Sequence, residues 1–213
     1  MIDTGAGSPK VGDDAEDRAV SRRARTDARI TATVLAHLDR YGYAGLTIER
    51  VAADSGVAKT TIYRRWASKA EMVFDLALHR TDPPPLSDTG SLAGDVRLLA
   101  ERSSALIAGK TGRAVLPGLF AEMLADPELA TRIRESFGAT ASADVAGVLD
   151  RAAARGELEE QVDVAGFHAA LLGIPYTRVH VFGESDTSRL ADTLTSQLLA
   201  MLPTMPPAGR LET

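Results

Sequence analysis

The sequence contains no cysteine. That excludes disulfides and thiolate chemistry, and it suits a reducing, cytoplasmic setting. Aromatic residues are scarce at 5%, although apolar residues at 45% suffice for a buried core. No stretch approaches the roughly 18 uninterrupted apolar residues of a membrane span. The N-terminus, residues 1–17, is polar and acidic and lacks the basic start and apolar run of a secretory signal. β-Branched alternation is absent, so no strand is expected, and no repeat of 20–50 residues is evident. The histidines, His37, His79, His168 and His180, lie scattered without the spacing of a metal site. There is no Gly-rich phosphate loop after a strand and no G-x-S-x-G elbow. No catalytic residue, metal or cofactor is therefore expected.

Charge is unevenly spread. The chain carries a net −5, which on its own argues against nucleic acid. Yet Arg18 to Arg80 holds 12 Lys+Arg against 6 Asp+Glu, while the remainder holds 12 against 23. A basic front can meet phosphates, and an acidic back cannot do so comfortably.

The apolar pattern is helical throughout. Residues 1–17, with Gly, Ser, Asp and little to bury, are expected to be a disordered arm. From about Thr26, Ile30, Val34 and Leu38 recur on one helical face, and Gly42 ends that helix. Thr47 caps a second helix carrying Ile48, Val51, Ala52 and Ser55 inward, and Gly56 stops it after about two turns. A third short helix spans about Lys59 to Trp66, with Ile62 and Trp66 inward. Ser68 caps a fourth, with Met72, Val73, Leu76 and Ala77 facing the core. The prolines 83–85 must interrupt helix, marking a boundary. Further helices are expected at about 91–109, 113–125, 127–155, 163–182 and 187–202. Pro127 suits a helix start and Gly156 a helix end, and Leu190, Leu194, Leu198 and Leu202 form a seam.

Two short helices joined through Gly56 and a buried Val57, the second with polar and cationic groups outward, make a helix-turn-helix. Residues 47–66, TIERVAADSGVAKTTIYRRW, meet each requirement. Over about residues 26–78, continuing through Ala67-Ser68-Lys69-Ala70-Glu71-Met72-Val73, the chain resembles the tetracycline-repressor (TetR) family. Ser55 and Ala67 stand where that family more often has Ala and Pro. The resemblance implies a two-fold dimer, a helical ligand-binding domain and release of DNA under control of an effector. The expected class is all-α: residues 18–80 as a DNA-binding domain, and 86–205 as an effector-binding and dimerisation domain.

Roles follow for individual residues. Thr47, at a helix start, offers a hydroxyl to phosphate. Lys59, Thr60 and Thr61 open the recognition helix and are placed to reach base edges. By resemblance Tyr63 and Lys69 are phosphate contacts. Arg64 and Arg65 are expected to reach phosphates on the flanks, and Arg22, Arg23 and Arg25 precede the first helix, where they can follow the backbone or enter the minor groove. Trp66 is expected in the core. The partner is double-stranded operator DNA. An architectural protein without an effector would also explain the basic front, but not the large acidic, helical back.

The second domain is expected to hold an unidentified small molecule between facing helices. Periodicity nominates Leu116, Phe120, Met123, Phe137, Phe167, His168, Leu172 and Tyr176. Arg178 and His180 are expected only to complement a helix C-terminus. The homodimer should use the last two helices, with Leu171, Ile174, Val181, Leu194 and Leu198 as interface candidates, unless those seams face their own subunit.

Overall fold

A computed structural model describes residues 11–79, 86–158 and 162–203, with the side chains of 11–19 and 136–141 outside that description. Among the described residues the chain is helical, without a β-strand. α1 spans Val11–Gly45, α2 Ile48–Ser55, α3 Lys59–Tyr63 and α4 Lys69–Val73, which runs on as a π-helical turn, Phe74–His79. α5 spans Leu92–Ala108, α6 Lys110–Ala125, α7 Pro127–Ala154, α8 Val164–His180 and α9 Thr187–Ala200.

The ends of these helices follow from individual residues. Gly42 has φ 66°, a region open to glycine, and breaks the regular turn near the end of α1. Thr47, Ser68, Ser91, Asp126 and Asp186 cap α2, α4, α5, α7 and α9 by accepting backbone N–H groups. Pro127 opens α7. At the other end of α7 the Gly156 N–H donates to Ala153 and the Glu157 N–H to Ala152, a Schellman closure with Gly156 at φ 74°.

Two features depart from expectation. α1 begins at Val11, so residues 11–17 belong to a helix rather than to a disordered arm. Arg22, Arg23 and Arg25 therefore lie within α1 and not on an extended arm ahead of it. The prolines 83–85, where the domain boundary was expected, lie outside the described residues, as do residues 1–10.

Two apolar cores run through the molecule. One joins Ile30, Val34, Val51, Ile62, Trp66 and Met72 of the first domain to Val115 and Leu119 of α6, Ile133 of α7 and Val179 of α8. The helices of the helix-turn-helix segment thus share a core with α6, α7 and α8. The other core fills the far end with Val96, Leu99, Val145, Val148, Phe167, Leu171, Leu194 and Leu198. At that end the buried Asp95 accepts from the Thr89 N–H and hydroxyl at 2.8 and 2.7 Å and from Arg155 at 3.3 Å. Burial alone would raise its pKa, but these donors outweigh burial and hold the carboxyl below its ordinary value.

Leu171, Leu194 and Leu198 are buried in this second core, which corrects their assignment to a subunit interface. A four-residue leucine spacing marks a buried face without saying what covers it, and here their own subunit covers it. Ile174 is half-buried against the same core, and Val181 is 66% exposed.

Candidate nucleic-acid interface

The turn between α2 and α3 is built for a close crossing. Gly56 adopts φ 62°, ψ 26°, and the Arg29 guanidinium donates to the Ser55 carbonyl beside it. A Cβ at Gly56 would lie 2.8 Å from that guanidinium. Val57 is buried, and Ile62 and Trp66 anchor α3 and its following turn inward. The Trp66 indole donates to Asp75 at 2.8 Å, tying this turn to the helix that follows.

Arg65 closes the assembly from the other side. Its guanidinium pairs through both terminal nitrogens with the Asp27 carboxylate, the second contact at 2.8 Å, and lies 4.4 Å from the Trp66 ring centroid. Its side chain is only 14% exposed. Arg65 is therefore committed to holding α3 against α1, not set on a free flank as expected. Nothing in its sequence neighbourhood distinguishes it from Arg64, because its partner lies 38 residues away.

With the inner face fixed, the outer face of α3 presents Lys59, Thr60, Tyr63 and Arg64 to solvent, and Thr61 is half-buried. Tyr63 is 48% exposed. Lys59 lies 3.4 Å from Glu49 of α2, an exposed pair that phosphate can displace. The Glu49 carboxyl is held below its ordinary value first by its own backbone N–H at the α2 N-terminus and then by Lys59. Thr47 caps α2, its hydroxyl oxygen accepting the Arg50 N–H at 3.3 Å. Arg22, Arg23 and Arg25 are exposed along α1.

Lys69 differs from these groups. Its Nζ lies 2.8 Å from Glu122 of α6 and 4.1 Å from the Tyr43 ring centroid. Arg132 of α7 pairs with Glu71 at 2.6 Å, a second tie between α4 and the C-terminal helices. The charge balance of the two halves hints at such ties, but Glu122 and Arg132 carry no motif that would single them out.

The residues nominated for an effector site fall into two groups. Leu116, Met123, Leu172 and Tyr176 gather around the first core between α6 and α8. Phe120 meets Tyr176 edge-on at 4.9 Å, and Tyr176 lies 4.6 Å from His180. Phe167 sits in the second core instead, while His168 lies 3.4 Å from the Ser142 hydroxyl. Burial pushes the His168 pKa down, favouring neutral imidazole. Phe137 lies outside the described side chains. Among the described residues no cluster of three His, Cys, Asp or Glu could hold a metal ion, and no helix is long and apolar enough to cross a membrane.

Residues 86–198 match the family model described as tetracyclin repressor-like, C-terminal domain, and residues 30–76 match bacterial regulatory proteins, tetR family. The chain belongs to the TetR family. Members are transcription regulators that bind operator DNA, usually as dimers, with small-molecule effectors. The TetR-family helix-turn-helix and the helical C-terminal domain both lie within these matches.

Individual relatives agree. The chain is 29% identical over 190 residues to a DNA-binding transcriptional repressor TetR of Mycobacteroides abscessus, covering 86% of this chain and 97% of that one. It is 28% identical to the HTH-type transcriptional regulator YdeS of Bacillus subtilis over 67% of this chain and 72% of YdeS. Among solved structures, the TetR-family regulator SCO0332 superposes with a TM-score of 0.66 at 29% identity, over 85% of this chain and 99% of that one. The fold is also that of the Bacillus subtilis FadR solved with stearoyl-CoA, with a TM-score of 0.61 at 19% identity, over 81% and 97% of the two chains.

Proposed function

We propose that this TetR-family regulator reads its operator through α3, with Lys59, Thr60 and Thr61 at base edges and Thr47, Tyr63, Arg64 and Lys69 at phosphates. One observation carries the assignment. Ile62 and Trp66 fix one side of α3 while Lys59, Thr60, Tyr63 and Arg64 remain exposed on the other. Arg22, Arg23 and Arg25 add phosphate contacts from one side of α1, which suits backbone contact better than minor-groove entry. Residues 18–80 perform this reading, and 86–205 hold the effector and the dimer contact.

The dimer forms through the outward side of the last two helices. Ala165, Ala169, Gly173, Thr177 and Val181 follow at four-residue spacing along α8, and all are exposed in the single chain. Small residues in such a row allow close helix crossing. The adjoining Phe182 is 76% exposed and extends the surface toward α9. The effector is a small molecule held between α6 and α8, where Leu116, Phe120, Met123, Leu172 and Tyr176 supply an apolar wall. A ligand that favours one spacing of the two reading heads shifts the population away from DNA.

The test is a salt titration of duplex binding. Replacing Arg22, Arg23 and Arg25 with Gln should weaken binding to all sequences and flatten the dependence of log K on log salt by about 0.9 per lost phosphate contact. Thr61→Ala should instead lower the ratio of specific to non-specific affinity. Unchanged affinity and slope in the triple variant would remove α1 from the interface.

A further inference from the structure

Lys69 stands at a junction of three elements. It opens α4, its Nζ lies over the Tyr43 ring from the end of α1, and it pairs with Glu122 of α6. The junction is tightly seated: a Cβ at Gly118 would lie 2.4 Å from Cδ1 of Tyr43, so only glycine lets α6 approach this ring. The Tyr43 hydroxyl is buried without a well-formed hydrogen bond. Burial, and after it the neighbouring Glu122 carboxylate, pushes its pKa well up, so it stays a neutral phenol beside the ion pair.

We propose that Glu122 is an intramolecular competitor for DNA: in this conformation α6 holds Lys69 away from the phosphate backbone, and binding requires Lys69 to exchange the Glu122 carboxylate for a phosphate. The inference rests on the reading of Lys69 as a phosphate contact and adds the group that restrains it. A phosphate brought to Nζ would meet the Glu122 carboxylate already seated 2.8 Å from it, and two anions crowded on one ammonium repel each other, so the phosphate gains full contact only as the carboxylate leaves. Glu122 sits in the last turn of α6, whose Leu116 and Met123 belong to the proposed effector wall. A displacement of α6 of about 1 Å is comparable with the margin between a charge-assisted bond and a broken one. The effector bundle therefore sets how strongly Lys69 is withheld, in addition to setting the spacing of the two reading heads.

The pair is part-exposed, with side-chain exposures of 24% and 39%, so its strength is that of a surface ion pair. Removing it should tighten DNA binding about 3-fold per subunit and about 10-fold per dimer. The experiment measures affinity of the full chain for a mixed-sequence duplex spanning two half-sites, from low to physiological salt. It uses wild type, Glu122→Gln, Lys69→Gln, the double variant, and Glu122→Asp as the charge-preserving control. The expected result is tighter binding by Glu122→Gln, with a gain that shrinks as salt rises and screens the wild-type pair. Lys69→Gln should bind more weakly, Glu122→Gln should add nothing in the Lys69→Gln background, and Glu122→Asp should stay near wild type. If Lys69→Gln weakens binding but Glu122→Gln gives no gain, the competitor role is overturned while the phosphate contact stands. If the gain survives in the Lys69→Gln background, Glu122 acts only as a long-range charge and the proposal is overturned. If Lys69→Gln binds as wild type, the phosphate contact itself fails and takes the proposal with it.

Discussion

The hydroxyl of Ser103 donates to the carbonyl of Leu171 at 2.7 Å in the buried seam between α5 and α8. Pro175, four residues further along α8, has no N–H and leaves that carbonyl without its helical donor. Ser103 thus repairs from a neighbouring helix the defect that a mid-helix proline creates. Ser103→Ala should destabilise the chain by about 1–3 kcal/mol, the cost of an unsatisfied buried acceptor. In a Pro175→Ala background, where an N–H returns, the same substitution should cost less. Urea unfolding of the four proteins gives the coupling, and equal cost in both backgrounds would show that the bond does not serve this purpose.

The pair Arg65–Asp27 locks the recognition helix to α1 rather than reaching DNA. Asp27→Ala leaves a mostly buried guanidinium without its partner and should lower stability by about 2 kcal/mol. Binding measured well below the unfolding transition should fall less than for Lys59→Ala. Tighter binding by Asp27→Ala, or a loss on Arg65→Ala at unchanged stability, would return Arg65 to the phosphate-contacting set.

Gly173 offers a direct test of the dimer surface. A Cβ there meets nothing within 4 Å in the single chain, and glycine costs a helix interior about 1 kcal/mol relative to alanine. Gly173→Glu should therefore leave the isolated subunit folded and no less stable, yet weaken dimerisation by at least about 10-fold by burying unpaired charge against its copy. Sedimentation equilibrium and helical content together decide it. A dimer of unchanged strength would move the interface elsewhere.

Acid sensitivity has a defined sign. Burial lowers the His168 pKa below its ordinary 6.5, and burial followed by Arg113 lowers that of His180. The unfolded chain then binds protons more readily than the folded one below about pH 6.5, so stability falls with pH in that window and is insensitive to these groups above it. Unfolding free energy should decline from pH 7 to 5, and His168→Gln should shallow that decline. An identical profile for the variant would show that His168 does not contribute.

The local signals in the sequence translated well where chemistry acts over a few residues. Thr47, Ser68, Gly56, Pro127 and Gly156 each end or begin a helix where their type dictates, and Trp66 lies in the core. What could not be seen depends on partners far along the chain. Leu194 and Leu198 announce a buried face, yet only the fold reveals that α5 and α8 cover it. Arg64 and Arg65 are adjacent and alike, and one is claimed by Asp27. Lys69 carries a recognisable motif position, whereas Glu122, which holds it, sits in a helix with no motif. The start of α1 at Val11 is not legible because a polar stretch with little to bury carries no apolar periodicity.

Whether two copies of α3 read a symmetric operator is decided by selecting binding sites from random duplex DNA with the full-length chain at physiological salt. The selection should yield a palindromic motif whose half-sites are centred about one helical turn, roughly 34–36 Å, or a multiple of it apart. Thr60→Ala and Thr61→Ala should alter defined positions in each half. An asymmetric motif bound by a single chain, or no enrichment by folded protein, would contradict it.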